Sequence, residues 1–410
     1  MKKVFFKTFG CRTNLFDTQV MIENLGEHAL VSDESEADAV VINSCAVTNH
    51  SESVARNYIN RVKRDFPDVK LLFTGCGAKG AGASLLKKAL VDGVFSHSLK
   101  SGVASYVDRK MPFIEIGEEG GIDDTLLTRF DGKTKAFVKI QEGCDFDCSY
   151  CVIPSVRGRA RSVDERLILD QINILTQRGF EEFVLTGTNI GSYGLERGTS
   201  LAALLEKIGK IGGVKRVRLG SVEPSQIDDR LLDALNAPFM AKHLHIALQH
   251  ASDRVLASMN RRNRFESDCA LLLRAARMGF AIGTDYIVGF PTESRDDHTT
   301  AIDRLKLLPL THIHLFAYSP REGTKAASIK TRVDGKTIAE RRMEIEEIIR
   351  AKHREFYDRQ KETLTVLIES KNSGYDQFFS RVRFESDRTL LGWQNAERYR
   401  YENGEIVANV

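Results

Sequence analysis

Strand-length apolar runs alternate with helical patterns along most of this chain, and that alternation leaves few folds open. A strand, a crossover helix and a following strand assemble into a parallel sheet covered by helices. In the first block Lys3–Phe9, Ala37–Asn43 and Val69–Thr74 read as strands, with helices over Phe16–Leu25, Ser51–Phe66 and Ser84–Leu90. Near residues 115–125 the pattern dissolves into the acidic, glycine-rich EIGEEGGIDD, which reads as a linker. From about 134 the alternation resumes, with strands at Ala136–Gln141, Glu182–Thr186, Val214–Gly220, His243–Leu248, Ala281–Val288 and Thr311–Ala317. Six β/α units fit a barrel or partial barrel, whose functional residues belong at the C-terminal ends of its strands. A charged helix over Lys336–Glu362 closes this block, and TLTVLIES, FFSRVRFES and TLLGWQN read as strands of a small terminal module. The expected class is α/β: a parallel-sheet domain over 1–125, a partial (β/α)6 barrel over 130–362 and a β module over 363–410.

At 410 residues, two or three domains are expected. With 42% hydrophobic and 28% charged residues the composition is that of a globular protein, which excludes wholesale disorder. No run free of charge reaches the roughly 18 residues of a membrane span. The opening MKKVFFKTFGC has a basic start, but Lys7 interrupts its apolar run, so it reads as a strand of a cytoplasmic protein with no membrane partner. A net charge of +3 carries no global nucleic-acid signature, so an RNA partner has to come from local patches.

Seven cysteines, an odd number in a long chain, argue for metal or redox chemistry over a disulfide scaffold. Cys144, Cys148 and Cys151 lie in CDFDCSYC, directly after the first barrel strand. Three thiolates in so short a loop can converge on iron–sulfur or zinc, both of which take soft sulfur ligands. A structural zinc site wants four closed ligands and no fourth lies nearby, which favours a cluster with one open iron. Cys11, Cys45 and Cys76 each fall one or two residues past a strand, at the sheet edge where open α/β sheets bind ligands. They read either as a second metal site or as three unrelated buried thiols. Cys269, in the helical stretch SDCALLLRAARMG, reads as packing. His243 with His245, and His312 with His314, form two H-x-H pairs that could hold a hydrolytic metal in a barrel.

The run QEGCDFDCSYCVIPSVRGRARS, with the aromatic Tyr150 before the third cysteine, resembles the methylthiotransferase branch of the radical S-adenosylmethionine enzymes. TFGCRTN, NSCAVT, TGC, LTGTNIGSYG, RLGSVEP, LQHASDRVLASMNRR, DYIVGFPTE and FAYSPREGT extend the resemblance to about residue 360, and VLIES resembles the opening strand of a shortened TRAM module. The resemblance implies a radical S-adenosylmethionine barrel and two 4Fe–4S clusters. Cys144, Cys148 and Cys151 would hold the catalytic cluster, which binds and cleaves S-adenosylmethionine to a 5′-deoxyadenosyl radical. Cys11, Cys45 and Cys76 would hold the auxiliary cluster that carries the inserted sulfur. It also places Gly187, Thr188, Ser221, Glu223, Gln249 and Asp285, with Tyr150, around the cofactor. Arg157, Arg159 and Arg161 form a basic loop suited to a phosphate or carboxylate, and Arg157 and Arg159 are the substrate-binding candidates.

The family's substrates are an adenosine beside the tRNA anticodon or an aspartate of a ribosomal protein. TFGCRTN stands nearest the branch acting at C2 of N6-threonylcarbamoyladenosine 37, although that branch more often has Lys–Val where Arg12–Thr13 stand. The implied partners are the tRNA anticodon stem–loop, an electron donor such as flavodoxin or ferredoxin, and a sulfur source. Isopentenyladenosine and the ribosomal aspartate are the alternatives within the family; a metal-dependent barrel hydrolase and a non-catalytic iron–sulfur RNA-binding protein lie outside it. In the tail, Arg381, Arg383, Arg398 and Arg400 beside Phe384, Tyr399 and Tyr401 form either an RNA-stacking stripe or part of a plain β module closing the barrel.

Overall fold

The computed structural model describes residues 1–410 except Met111, Glu119, Asp131, Asn403 and Val410. The first sheet holds β1 (Lys3–Thr8), β2 (Ala29–Leu30), β3 (Ala39–Ser44), β4 (Lys70–Gly75), β5 (Gly93–Phe95) and β6 (Phe113–Glu115). Their spatial order is β2-β1-β3-β4-β5-β6, and every neighbouring pair is parallel. The chain steps from β1 outward to β2, then crosses back over β1 and continues in the other direction. That reversal opens a crevice between β1 and β3 at their C-terminal ends. Every side chain of β3 is buried, as expected for a central strand of a parallel sheet covered on both faces.

Two helices begin a full turn or more before their patterns predict, and both begin at a cysteine. Cys11 is the N-cap of helix Arg12–Glu23, and Cys76 that of helix Gly77–Lys87. The glycines of GAKGAGAS disguise the second start, because Gly costs about 1 kcal/mol in a helix relative to Ala. Packing overrides propensity there: a Cβ at Gly77 or Gly82 would collide with the Ser44 or Val94 side chain. In the expected linker Glu119 lies outside the described residues. The segment after it is docked: Asp123 lies 3.4 Å from Lys100, and Leu127 is fully buried.

The barrel begins with β7 (Ala136–Lys139). A short ribbon of β8 (Gln141–Glu142) and β9 (Arg161–Ser162) comes next, then β10 (Glu182–Thr186), β11 (Arg216–Leu219), β12 (His243–Gln249), β13 (Ala281–Val288) and β14 (Leu310–Ala317). Parallel pairings give the groups β11-β10-β7 and β12-β13-β14, and bridges Val217–Met240 and Val222–Ile246 join them. Among the described residues β14 does not pair with β7, so the barrel is partial. Helix Arg12–Glu23 of the first sheet packs on β7, and its Phe16 and Val20 belong to the barrel core.

The C-terminal module comprises β15 (Leu364–Ser370), β16 (Ser373–Tyr375), β17 (Arg381–Glu385), β18 (Trp393–Ala396), β19 (Tyr399–Glu402) and β20 (Glu405–Asn409), in the order β18-β15-β16-β17-β20-β19. It covers the N-terminal mouth of the barrel. Arg216 donates to the Thr365 and Tyr375 carbonyls at 2.7 and 3.1 Å, Arg218 to that of Asp376 at 2.5 Å. The stacking stripe is corrected in part. Phe384 is buried in the module core, and Arg381, Arg383 and Arg400 face Glu385, Glu402 or Glu405. Among the described residues no helix is long and apolar enough to cross a membrane.

Candidate functional site

The register of β1, β3 and β4 delivers Cys11, Cys45 and Cys76 to one end of the first sheet, beside the β1/β3 crevice. Close approach is built into the backbone. Gly10 has φ +105°, and a Cβ there would stand 2.7 Å from the Cβ of Cys45. The Val47 N–H donates to Cys45 Sγ at 3.4 Å, and Arg157 Nε donates to Cys76 Sγ at 3.1 Å. Burial pushes the Cys76 thiol up to about 11.

Cys144, Cys148 and Cys151 occupy the loop between β8 and β9, just past the end of β7. The Phe146 N–H and Asn189 Nδ2 donate to Cys144 Sγ at 3.4 and 3.7 Å, and Arg261 Nη1 to Cys148 Sγ at 3.9 Å. Burial pushes the Cys151 thiol up to about 12. Thiols this deep keep their protons unless a metal displaces them, and N–H donors aimed at sulfur suit thiolate and sulfide. Among the described residues, the potential metal ligands brought within 4.8 Å of one another are His245, Asp285 and His314.

The loops after the other barrel strands close around the second triad. Thr188 Oγ1 accepts from the Gly143 N–H at 3.2 Å, fastening the turn after β10 to the cysteine loop. A Cβ on Gly187 would stand 2.7 Å from the Gln141 carbonyl. Glu223 receives Arg261 in a two-pronged pair at 2.8 and 2.5 Å. Gln249 ends β12 with φ +68°, and Ser221 Oγ donates to Asp285 Oδ2 at 3.3 Å. His245 Nε2 and His314 Nδ1 approach Asp285 Oδ1 to 3.1 and 3.2 Å. Burial opposes ionisation of Asp285, but those two histidines hold its carboxyl below the usual carboxylate range.

Two adjoining cavities connect these groups. One of about 250 Å³ is lined by Tyr150, Cys151, Gln249 and Asp285; one of about 980 Å³ by Cys11, Cys45, Gly187, Ser221 and Asp285. Val47, Thr48, Asp285 and residues 316–319 belong to both walls. The H-x-H pairs divide between the ends of the barrel. His245 and His314 face this cleft, while His243 and His312 face Phe379 and Ser380 of the C-terminal module.

The basic loop is placed differently from expectation. Arg157 is 2% exposed and spans both domains: besides Cys76 it binds Asp17 at 2.9 Å, Glu142 at 2.6 Å and Asn14 at 2.7 Å. Lys139 joins the set, 2.9 Å from Asp17 and 3.1 Å from Glu142, with Lys100, His97 and Arg161 within 4 Å of one carboxylate or the other. Burial raises both carboxyls, yet Lys139 and Arg157 outweigh it and hold Asp17 at about 2 and Glu142 well below the usual range. Arg157 is thus an internal strut, out of reach of a phosphate from solvent. Arg161 bonds the Gly121, Arg157 and Arg159 carbonyls. The Arg159 side chain is exposed, 2.9 Å from Asp145. Sequence reasoning passed over Asn14, Asn189 and Arg261; the asparagine of TFGCRTN and the first arginine of MNRR were the available signals.

Residues 3–96 match the model of the uncharacterized protein family UPF0004, and residues 138–305 that of the radical SAM superfamily. A putative methylthiotransferase of Helicobacter pylori is 48% identical over 95% of both chains. The threonylcarbamoyladenosine tRNA methylthiotransferase MtaB of Aquifex aeolicus is 36% identical over 90% of this chain and 93% of its own. The radical S-adenosylmethionine methyltransferase TsrM of Kitasatospora setae, solved with cobalamin and a 4Fe–4S cluster bound, shares the fold. Its TM-score is 0.60 at 14% identity, with 79% of this chain and 77% of that one covered. The hydrolase reading of the histidine pairs falls with these matches. An enzyme of S-adenosylmethionine and 4Fe–4S chemistry, the chain belongs to the radical S-adenosylmethionine methylthiotransferase family.

Proposed function

We propose that this enzyme adds a methylthio group to C2 of N6-threonylcarbamoyladenosine at position 37 of tRNA. In this reading two 4Fe–4S clusters serve one reaction, the first on Cys144, Cys148 and Cys151 and the second on Cys11, Cys45 and Cys76. The observation that carries it is the shared cleft, which has Cys151 on one wall and Cys11 and Cys45 on another, with Asp285 common to both cavities. Relatives from Aquifex aeolicus and Bacillus subtilis, 36% and 33% identical, bear the name of that substrate.

When bound, the catalytic cluster and S-adenosylmethionine supply a radical able to take hydrogen from an unactivated C–H bond, which no side-chain base can do. The chain's own residues do the rest. Tyr150, Gly187, Thr188, Ser221, Glu223, Gln249 and Asp285 shape the cofactor's space, and Glu223 acts from its pair with Arg261. The C-terminal module covers the lower mouth of the barrel, with a cavity of about 490 Å³ left between it and His243, His312 and His314. Arg159, exposed on the rim, is available to a phosphate of the anticodon stem–loop. An electron donor of the flavodoxin or ferredoxin kind and a sulfur source complete the reaction, in the cytoplasm where tRNA matures.

The test is mass spectrometry of tRNA nucleosides from a strain lacking the protein. The 2-methylthio form of threonylcarbamoyladenosine should vanish, return with the wild type and stay absent with Cys144→Ala. Unchanged methylthio nucleosides would refute the tRNA assignment and direct the search to a methylthio-aspartate in a ribosomal protein.

A further inference from the structure

Arg12 enters the large cavity with no anion hydrogen-bonded to it. It is half-buried, comes directly after Cys11 and lines the 980 Å³ space. Among the described residues it makes no hydrogen bond and no ion pair within 4 Å. The other deeply placed arginines, Arg157, Arg216, Arg218, Arg261 and Arg341, each face a carboxylate at 3.0 Å or less. Arg12 rests instead on the ring of Phe379, its guanidinium carbon 5.3 Å from the centroid. Arg218 stands at the same distance from that ring and is already satisfied by Glu182 at 2.7 Å.

Three anions could face Arg12. The auxiliary triad's sulfur is one, but Phe379 draws the guanidinium into the barrel, and Cys76 already has Arg157 as its cation. Asp285 is a second, and it is occupied by His245, His314 and Ser221. The third is a ligand carboxylate. A planar guanidinium with its donors free binds carboxylate in a two-pronged geometry, and at a half-buried wall such a pair is stronger than in water.

We propose that Arg12 receives the carboxylate of the threonylcarbamoyl group and so selects an anionic N6 substituent over an apolar one such as isopentenyl. This rests on the substrate reading above and adds to it the residue that makes the choice. Phe379 is its positioning residue: the C-terminal module sets the guanidinium in place through a ring inserted in the barrel.

The test uses the full-length, anaerobically reconstituted enzyme. Its substrates are anticodon stem–loops carrying threonylcarbamoyladenosine either as the free acid or as the uncharged carboxamide. With wild type the acid should be preferred in kcat/KM on the order of 10- to 100-fold, the usual effect of a charge-assisted pair. Arg12→Gln should erase the preference by slowing the acid alone, Arg12→Lys should restore part of it, and iron and sulfide content should not change. Phe379→Ala should narrow the preference. Equal losses on both substrates, a raised KM for S-adenosylmethionine, or lost iron would overturn the proposal in favour of a cofactor or cluster contact. A wild type that acts on the acid without preferring it refutes the role of Arg12 and leaves the substrate reading standing. A wild type that modifies neither stem–loop refutes both.

Discussion

Arg157 donates from Nε to Cys76 Sγ at 3.1 Å, so a guanidinium from the barrel's first loop holds a sulfur at the edge of the other domain's sheet. The same group carries Asp17 and Glu142, both nearly inaccessible to solvent. Removing one partner of a buried charge set costs about 3–5 kcal/mol, and here it leaves two buried carboxylates to share Lys139. Arg157→Met should therefore lower the melting temperature sharply and reduce iron and sulfide bound per chain. Arg157→Lys, which keeps the charge and loses the fork, should retain more stability than cluster. Iron and melting temperature both at the wild-type level in Arg157→Met would deny the strut any role.

A second charged joint ties helix Arg295–Leu307 to the long helix Gly335–Arg359. His298 stands 3.6 Å from Glu293 and 2.9 Å from Glu344, and Arg341 lies 3.0 Å from Glu293. Burial raises Glu293, but His250, His298 and Arg341 outweigh it and bring it down to about 2. Burial lowers His298, but Glu293 and Glu344 outweigh it and leave it above 6.5. The Glu293 contribution is present above about 4.5 and lost as pH falls through about 2. The His298 contribution is complete below about 6.5 and lost as pH rises through its raised folded value. Melting temperature should thus decline on the alkaline side of 6.5, and His298→Gln should flatten that limb. An unchanged slope in the variant would place the titration elsewhere.

Strand positions were legible because apolar runs and turn residues mark them; β10 and β13 match expectation at both ends. So was the place of Cys11, Cys45 and Cys76 just past the ends of their strands, since a residue there has one place to go. Short edge strands such as Gly93–Phe95 were not, because three residues carry no period. Nor was the burial of Arg157. RGRAR reads as a solvated basic run, and only the fold of helix Ile153–Arg157 against Asp17, more than a hundred residues away, turns one arginine inward. The convergence of His245, Asp285 and His314 is likewise a product of barrel register.

Asp285 is the residue on which both cavities and both histidines meet. Asp285→Asn keeps the volume and removes the charge, leaving His245 and His314 without an anionic acceptor. Turnover should fall by at least about tenfold, the scale of a lost charged hydrogen bond, while iron content stays at the wild-type level. Activity and iron analysis on the same preparation separate this from misfolding. Wild-type turnover in the variant would reduce Asp285 to a structural partner.

The C-terminal module bears on the stability of the barrel. Glu182 sits between Arg216 at 2.5 Å and Arg218 at 2.7 Å, and both arginines reach on to module carbonyls. Trp393 Nε1 donates to Glu181 at 2.7 Å, and Ala281 of β13 belongs to the module's own apolar core. Deleting residues 361–410 would open the lower mouth, wet Arg216, Arg218 and His243, and remove the Phe379 ring from Arg12. A truncated enzyme should therefore melt well below wild type even without RNA. Glu182→Gln, which leaves two buried guanidiniums without their carboxylate, should lose about 3–5 kcal/mol with every module residue intact. A truncation that keeps its melting temperature and weakens only tRNA binding would make the module an RNA-binding appendage. Loss of stability in both variants would make it the floor of the barrel, because Glu182→Gln touches nothing an RNA could reach.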